Sequence, residues 1–227
     1  PATWDEAMNL IIKKAIDSIK QKGTNSIAIY STGQAFLEDY YTIAKIGRAG
    51  LQTHLLDANT RLCTATTEFC LLQSFGSDGS PTSFDDLDET ETLMLFGHNV
   101  AETGTVLFER IMNRKKKTGK PFIITVDPRR TLTAKAADIH LQLYPGTNVA
   151  LLNGILHLIL KNGWINQNFI DNHTIGFHEM EESVKNWTPE KTSEVTGIPI
   201  DLLLLVAAKL GKTPSLITTT LQGVYQS

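Results

Sequence analysis

Between residues 92 and 161, short apolar runs alternate with amphipathic stretches, and this alternation constrains the fold more than any other feature. Residues 93–96 and 122–126 are short and almost wholly apolar, the pattern of strands covered on both faces. Residues 102–117 and 147–161 carry apolar side chains at helical spacing. In the second of these, Val149, Leu152, Ile155, Leu156 and Ile159 fall in phase. Residues 131–137 read as a short helix and 139–143 as a further strand. Strands joined through helices run parallel, so the expected class is α/β, a mostly parallel, doubly wound sheet of βαβ units.

The flanks extend the pattern. Ala7, Met8, Ile11, Ile12, Ala15, Ile16 and Ile19 form one stripe, predicting a helix over 4–22 with a buried face. Thr3 or Asp5 can cap it, and Gly23 suits a left-handed end. Residues 26–30 predict a strand covered on both faces, followed by helices over 35–48 and 62–75. Residues 76–81 are a loop by composition, 199–210 a helix and 215–219 a strand. A length of 227 residues allows one large domain or two modest ones. The expected division is 1–58, part of a discontinuous α/β domain, and 59–227, a more complete α/β domain.

Composition excludes several classes. With 41% hydrophobic residues the chain can bury enough surface to offset its ordering entropy. Lys and Arg total 21 against 24 Asp and Glu, a net charge of −3, so no broad basic face awaits nucleic acid. No apolar run approaches the ~20 residues of a membrane span. Two cysteines exclude a disulfide scaffold and suit a reducing, cytoplasmic compartment or a chemical role. The opening Pro1-Ala-Thr-Trp-Asp-Glu6 lacks the basic stretch and apolar core of a signal peptide. That start, and the close on Gly223-Val-Tyr-Gln-Ser227, read as cuts from something longer.

In α/β sheets, ligands sit beyond the carboxyl ends of strands, where turns present backbone N–H groups. Four turns qualify: Ser31-Thr-Gly-Gln34, Gly97-His-Asn-Val-Ala-Glu102, Asp127-Pro-Arg-Arg-Thr131 and Tyr144-Pro-Gly-Thr-Asn148. One such turn is ordinary turn chemistry; four in register point to an extended polar ligand. None fits a dinucleotide or P-loop fingerprint. Asp127 ends a buried run, where a carboxylate accepts paired hydrogen bonds from a guanine edge or a ribose, caps a helix, or partners Arg129. Cys63, in Asn59-Thr-Arg-Leu-Cys63, precedes a predicted helix, whose N-terminus and Arg61 would favour thiolate. Cys70 reads as a small buried hydrophobe, and seven residues of helix hold it too far from Cys63 for a disulfide. The basic run at 114–117 suits a helix C-terminus, and the acidic run at 85–91 reads as a solvated loop.

These segments, in this order, resemble the molybdopterin oxidoreductases of the dimethyl-sulfoxide-reductase family. The resemblance rests on Trp4-Asp-Glu-Ala7, Asn59-Thr-Arg-Leu-Cys63, Phe75-Gly-Ser-Asp-Gly79, Asp127-Pro-Arg-Arg-Thr131 and Gly146-Thr-Asn-Val-Ala-Leu-Leu152. Within the family, residues 75–88 look closest to bacterial assimilatory nitrate reductases. The resemblance implies Cys63 as the protein sulfur on molybdenum, with Gln34 and Asn59 near the pterin. It implies Gly97, Asn99, Glu102, Asp127, Arg129, Gly146, Thr147 and Asn148 around one guanine dinucleotide of a molybdenum-bis(molybdopterin guanine dinucleotide) cofactor. Residues 59–227 would then be the dinucleotide-binding domain, and the chain a truncated version of the family's α/β core. The implied reaction is nitrate reduction, fed by an electron-donor protein through an iron–sulfur cluster outside this chain. Formate oxidation is the alternative, and a non-catalytic structural subunit of the same fold a third. Formate dehydrogenases of the family carry histidine directly after the metal-ligating residue, where this chain has Thr64, and Asn148 stands where Asp is common. By itself the chain is expected to be inactive and without cofactor.

Overall fold

Thr3 and Glu6 start the first helix by capping each other. The Thr3 hydroxyl accepts from the Glu6 N–H at 3.2 Å, and the Glu6 carboxylate accepts from the Thr3 N–H at 2.8 Å. The computed structural model describes residues 1–221, 223 and 224; residues 225–227 of the closing segment lie outside the described residues. Two compact units are present, Pro1–Ala65 and Thr66–Ser227. Asn59 and Cys63 therefore belong to the first.

In that first unit, α1 (Trp4–Lys22), β1 (Ile29–Ser31), α2 (Leu37–Lys45), β2 (Leu56–Ala58) and α3 (Thr60–Cys63) follow in order. The helix over 4–22 is as expected, but its apolar stripe is not buried. Met8, Ile11, Ile12 and Ile16 are all exposed, and no residue of α1 is buried. The unit's own sheet explains this, for β1 and β2 pair in parallel over three residues each. A patch about 10 Å long cannot cover a helix of about 28 Å. Gly23 ends α1 at φ 82°, ψ 175°, a glycine conformation other than the left-handed helical one expected. The strand expected at 26–30 begins only at Ile29, because a 3-10 turn (Thr24–Ser26) intervenes, held by Ser26 Oγ donating to the Gly23 carbonyl at 2.7 Å. Tyr30 is exposed, so β1 is not covered on both faces.

The second unit holds α4 (Ala65–Phe75) from its second residue on, α5 (Asp86–Glu89), β3 (Thr92–Phe96), α6 (Val100–Thr103), α7 (Thr105–Thr118), β4 (Phe122–Val126), α8 (Leu132–Ala136) and β5 (Ile139–Leu141). After them come α9 (Asn148–Lys161), α10 (Gln167–His173), α11 (Phe177–Val184), α12 (Pro189–Thr196), α13 (Ile200–Lys212) and β6 (Leu216–Thr220). Two predicted helices are split. The helix over 62–75 breaks at Thr64, and that over 102–117 at Gly104, both outside helical backbone geometry. The acidic run at 85–91 is not a free loop. Its centre is α5, pinned by Arg110 to Asp88 at 2.5 Å and Asp85 at 2.8 Å, while Arg114 donates to the Leu87 and Thr90 carbonyls.

The four strands pair in the order β5-β4-β3-β6, all parallel. Alternate residues feed opposite faces. Met94, Phe96, Ile124, Val126 and Leu141 pack with Leu151, Ile155 and Leu158 of α9 and Leu203 and Val206 of α13. Leu93, Leu95, Ile123 and Ile217 pack with Val100, Leu107, Ile111 and Leu87. This is the doubly wound α/β fold expected from the alternation. The chain winds from β3 out to β5, then returns to the far side of β3 as β6. The β3–β6 boundary is therefore a topological switch point, where such sheets open a crevice for ligands.

Candidate functional site

In the first unit, the turns after β1 and β2 interlock. Gly33 N–H donates to Asn59 Oδ1 at 2.5 Å, and Asn59 N–H reaches the Ser31 carbonyl at 3.4 Å. A Cβ at Gly33 would lie 1.9 Å from Thr60 Cγ2, so any larger residue here forces the Thr60 side chain to move. The Asn59 carbonyl in turn accepts from Cys63 N–H at 2.9 Å, which sets the half-buried cysteine one turn away. The fold thus brings Asn59 and Cys63 to one end of the parallel pair, beside the turn that carries Gln34. Gln34 is exposed and folds back on its own turn, its Oε1 accepting from Thr32 Oγ1 at 2.7 Å.

Two expectations about the cysteines change. Cys63 ends the short helix α3, set apart from α4 by Thr64, rather than lying in the first turn of one helix over 62–75, and Arg61 Nε is engaged by Asp57 at 2.6 Å. Arg61 holds the Asp57 carboxyl below the usual carboxylate range, so its charge is satisfied there rather than at Cys63. Cys70 is exposed, not buried, because no residue of α4 is buried. Neither cysteine forms a disulfide.

In the second unit, the expected turns stand at the carboxyl ends of β3, β4 and β5. Gly97 leaves β3 at φ 54°, and its N–H donates to the Val126 carbonyl at 2.8 Å. Buried Asn99 accepts from Thr133 Oγ1 at 2.8 Å through Oδ1, tying the start of α6 to α8. Glu102 is exposed on α6. Asp127 is only 5% exposed, and its Oδ1 accepts from Arg129 N–H at 2.8 Å. The bond to Arg129 therefore runs through backbone, leaving the Arg129 side chain exposed, while α8 is capped by Thr131 rather than Asp127. Gly146 turns at φ 83°, Thr147 Oγ1 donates to the Tyr144 carbonyl at 2.7 Å, and buried Asn148 opens α9 with Nδ2 donating to the Gly223 carbonyl at 3.3 Å.

Sequence reasoning passed over Thr133 and His98. Thr133 joins Asn99 across 34 residues, and His98 Nδ1 lies 2.8 Å from Thr219 Oγ1 across 121. His98 lay inside a turn already singled out, but a lone histidine has no spacing to mark it. Burial pushes its imidazole below the ordinary histidine range. The unfolded chain then takes up this proton more readily than the folded one, so stability rises with pH across the window. The stability is present above the unfolded value of about 6.5 and is lost as pH falls from there toward the folded value. Urea midpoints at pH 7.5 and 5.5 are expected to separate more in the wild type than in His98→Gln; equal separations would contradict this.

Among the described residues, no three His, Cys, Asp or Glu side chains group as a metal cage. Cys63 offers a half-buried sulfur, a donor type that suits soft metals. No helix among the described residues is long and apolar enough to cross a membrane.

Comparison with known proteins gives a consistent picture. A family model described as molybdopterin oxidoreductase matches residues 1–221. A nitrate reductase of Synechocystis is 35% identical over 99% of this chain and 32% of its own length. An F420-dependent formate dehydrogenase 2 subunit alpha of Methanococcus maripaludis is 37% identical over 92% of this chain and 30% of its own. Among solved structures, acetylene hydratase from Pelobacter acetylenicus aligns with a TM-score of 0.73 at 25% identity, covering 99% of this chain and 30% of that one. The chain spans about a third of the length of these relatives, and nitrate and formate enzymes match it at similar identity.

Proposed function

This chain belongs to the molybdopterin oxidoreductase family, and from that premise we propose that its second unit cradles one guanine dinucleotide of a bis-molybdopterin cofactor in a larger molybdenum enzyme. The observation that carries the reading is Asp127. It is buried at the end of a central strand, and while Oδ1 is satisfied by Arg129 N–H, Oδ2 accepts from no described residue. A buried carboxylate with acceptor capacity left suits the adjacent N–H donors of a guanine edge. Around it, Gly97 and Asn99 shape the turn after β3, with Glu102 exposed beyond them. The exposed Arg129 side chain suits a phosphate. Gly146, Thr147 and Asn148 close the turn after β5; a Cβ at Gly146 meets nothing within 4 Å, so this turn is open to a ligand rather than packed by protein.

In the first unit, Cys63 would hold molybdenum, with Asn59 and Gln34 toward the pterin. When bound, the molybdenum–pterin group supplies two-electron or oxygen-atom transfer, with electrons passing through an iron–sulfur cluster outside this chain. The contribution of the chain is placement. Asn59 fixes the cysteine backbone through its carbonyl and the neighbouring turn through its amide oxygen. For the substrate we favour nitrate, reduced to nitrite with electrons from a donor protein. The support is Thr64, which donates to the Thr60 carbonyl at 2.8 Å and leaves no imidazole next to Cys63. Formate is the second reading, supported by the 37% identity to a formate dehydrogenase subunit. Cys63 in the Asn59 turn favours an enzyme over a structural subunit. The two-cysteine composition suits the cytoplasm.

Calorimetric titration with GDP and ADP tests the nucleotide reading. The chain is expected to prefer GDP, and Asp127→Asn to lose that preference, since a bidentate base contact is worth about 1–3 kcal/mol, roughly 5- to 150-fold. Equal affinity of the wild type for both nucleotides would contradict the reading.

A further inference from the structure

At the switch point the exit of β6 lies across the exit of β3. Thr219 meets His98 at 2.8 Å, and Leu221 N–H reaches the Phe96 carbonyl at 3.3 Å. Gly223 comes nearer still. A Cβ there would stand 3.0 Å from Gly97 N and Phe96 C and 3.1 Å from Phe96 O. Two backbones touch with no side chain between them, one of them carrying the left-handed Gly97. From another element, Asn148 Nδ2 donates to the Gly223 carbonyl. Asn148 is 8% exposed, so its amide works in a setting shielded from water.

We infer that Asn148 is a positioning residue, whose amide pins Gly223 onto Gly97 and thereby holds the turn after β3 in the shape the nucleotide meets. The chemistry explains why an amide stands here. Only a donor can meet a carbonyl oxygen, and a carboxylate of the same size would set oxygen against oxygen. The residue then acts on the nucleotide through Gly223 and Gly97 rather than by touching the guanosine. This inference rests on the proposed nucleotide site for its functional consequence, but the clasp itself is made by residues of this chain alone.

Hydrogen exchange on the full chain without nucleotide is the decisive test. Asn148→Asp and Gly223→Ala are each expected to speed exchange of the Gly97, His98 and Asn99 amides about tenfold, with those of α12 and α13 left within about twofold. Unchanged exchange at 97–99 in both variants would overturn the inference, and so would a uniform increase across the unit, which would mark general destabilisation. In parallel GDP and ADP titrations, Asn148→Asp is expected to weaken both by the same factor of about ten, leaving their ratio intact. A changed ratio would put Asn148 on the base and overturn positioning. Absence of any GDP binding by the wild type would remove the nucleotide reading, while the exchange result would still decide the clasp.

Discussion

Replacing Cys63 with alanine in a protein of the relatives' full length that carries this chain is expected to lower nitrate-dependent oxidation of a reduced viologen dye by more than about 100-fold. That is the upper end of the loss when only an outer-shell partner of a metal ligand is removed. The reasoning is local. Cys63 is half-buried, its backbone N–H held by the Asn59 carbonyl at the end of the parallel pair, whereas Cys70 is exposed on a helix with no buried residue. Cys70→Ala is therefore the control, expected to leave turnover within about twofold, as surface changes usually do. Equal activity of Cys63→Ala and wild type would show that the sulfur is structural.

Gly33→Ala is expected to be the most damaging small substitution in the first unit. Its Cβ would meet Thr60 Cγ2 at 1.9 Å, Thr60 Cβ at 3.2 Å and Asn59 Oδ1 at 3.3 Å. Rotating the Thr60 side chain relieves only the first contact. The other two require Thr60 Cβ and Asn59 Oδ1 to give by a few tenths of an ångström, which strains the Gly33–Asn59 hydrogen bond and the turn that leads to Cys63. Overpacking of this kind costs about 1–3 kcal/mol. Urea unfolding followed by a probe in the first unit should show the lower midpoint, and turnover of the longer protein should fall at least about tenfold, since small misplacements at a reacting centre are costly. A wild-type midpoint would mean that the two turns are less tightly interlocked than they stand here.

Much of the sheet was legible because its signals are local. The apolar runs of β3 and β4 and the in-phase stripe of α9 lie within single elements, and the turn residues follow the strands directly. β2 left no trace, being three residues long with Asp57 at its centre. The stripe of α1 predicted a buried face that the structure does not have, because the short sheet of its own unit cannot cover it. The site was half visible. Asp127, Gly97 and Asn148 follow from turn chemistry, whereas the Asn99–Thr133, His98–Thr219 and Asn148–Gly223 bonds join residues 34 to 121 apart, beyond the reach of any periodicity. Arg61 misled for a related reason. Proximity in sequence placed it beside Cys63, but Asp57, four residues before it in β2, claims its charge.

The most direct test of the molybdenum oxidoreductase reading is metal content together with dye-linked turnover in the longer protein, with nitrate as oxidant and formate as reductant in separate reactions. Molybdenum in the protein and nitrate-dependent dye oxidation are the expected result. Dye reduction by formate would contradict the nitrate assignment, and a protein without molybdenum that turns over neither substrate would contradict the catalytic reading itself.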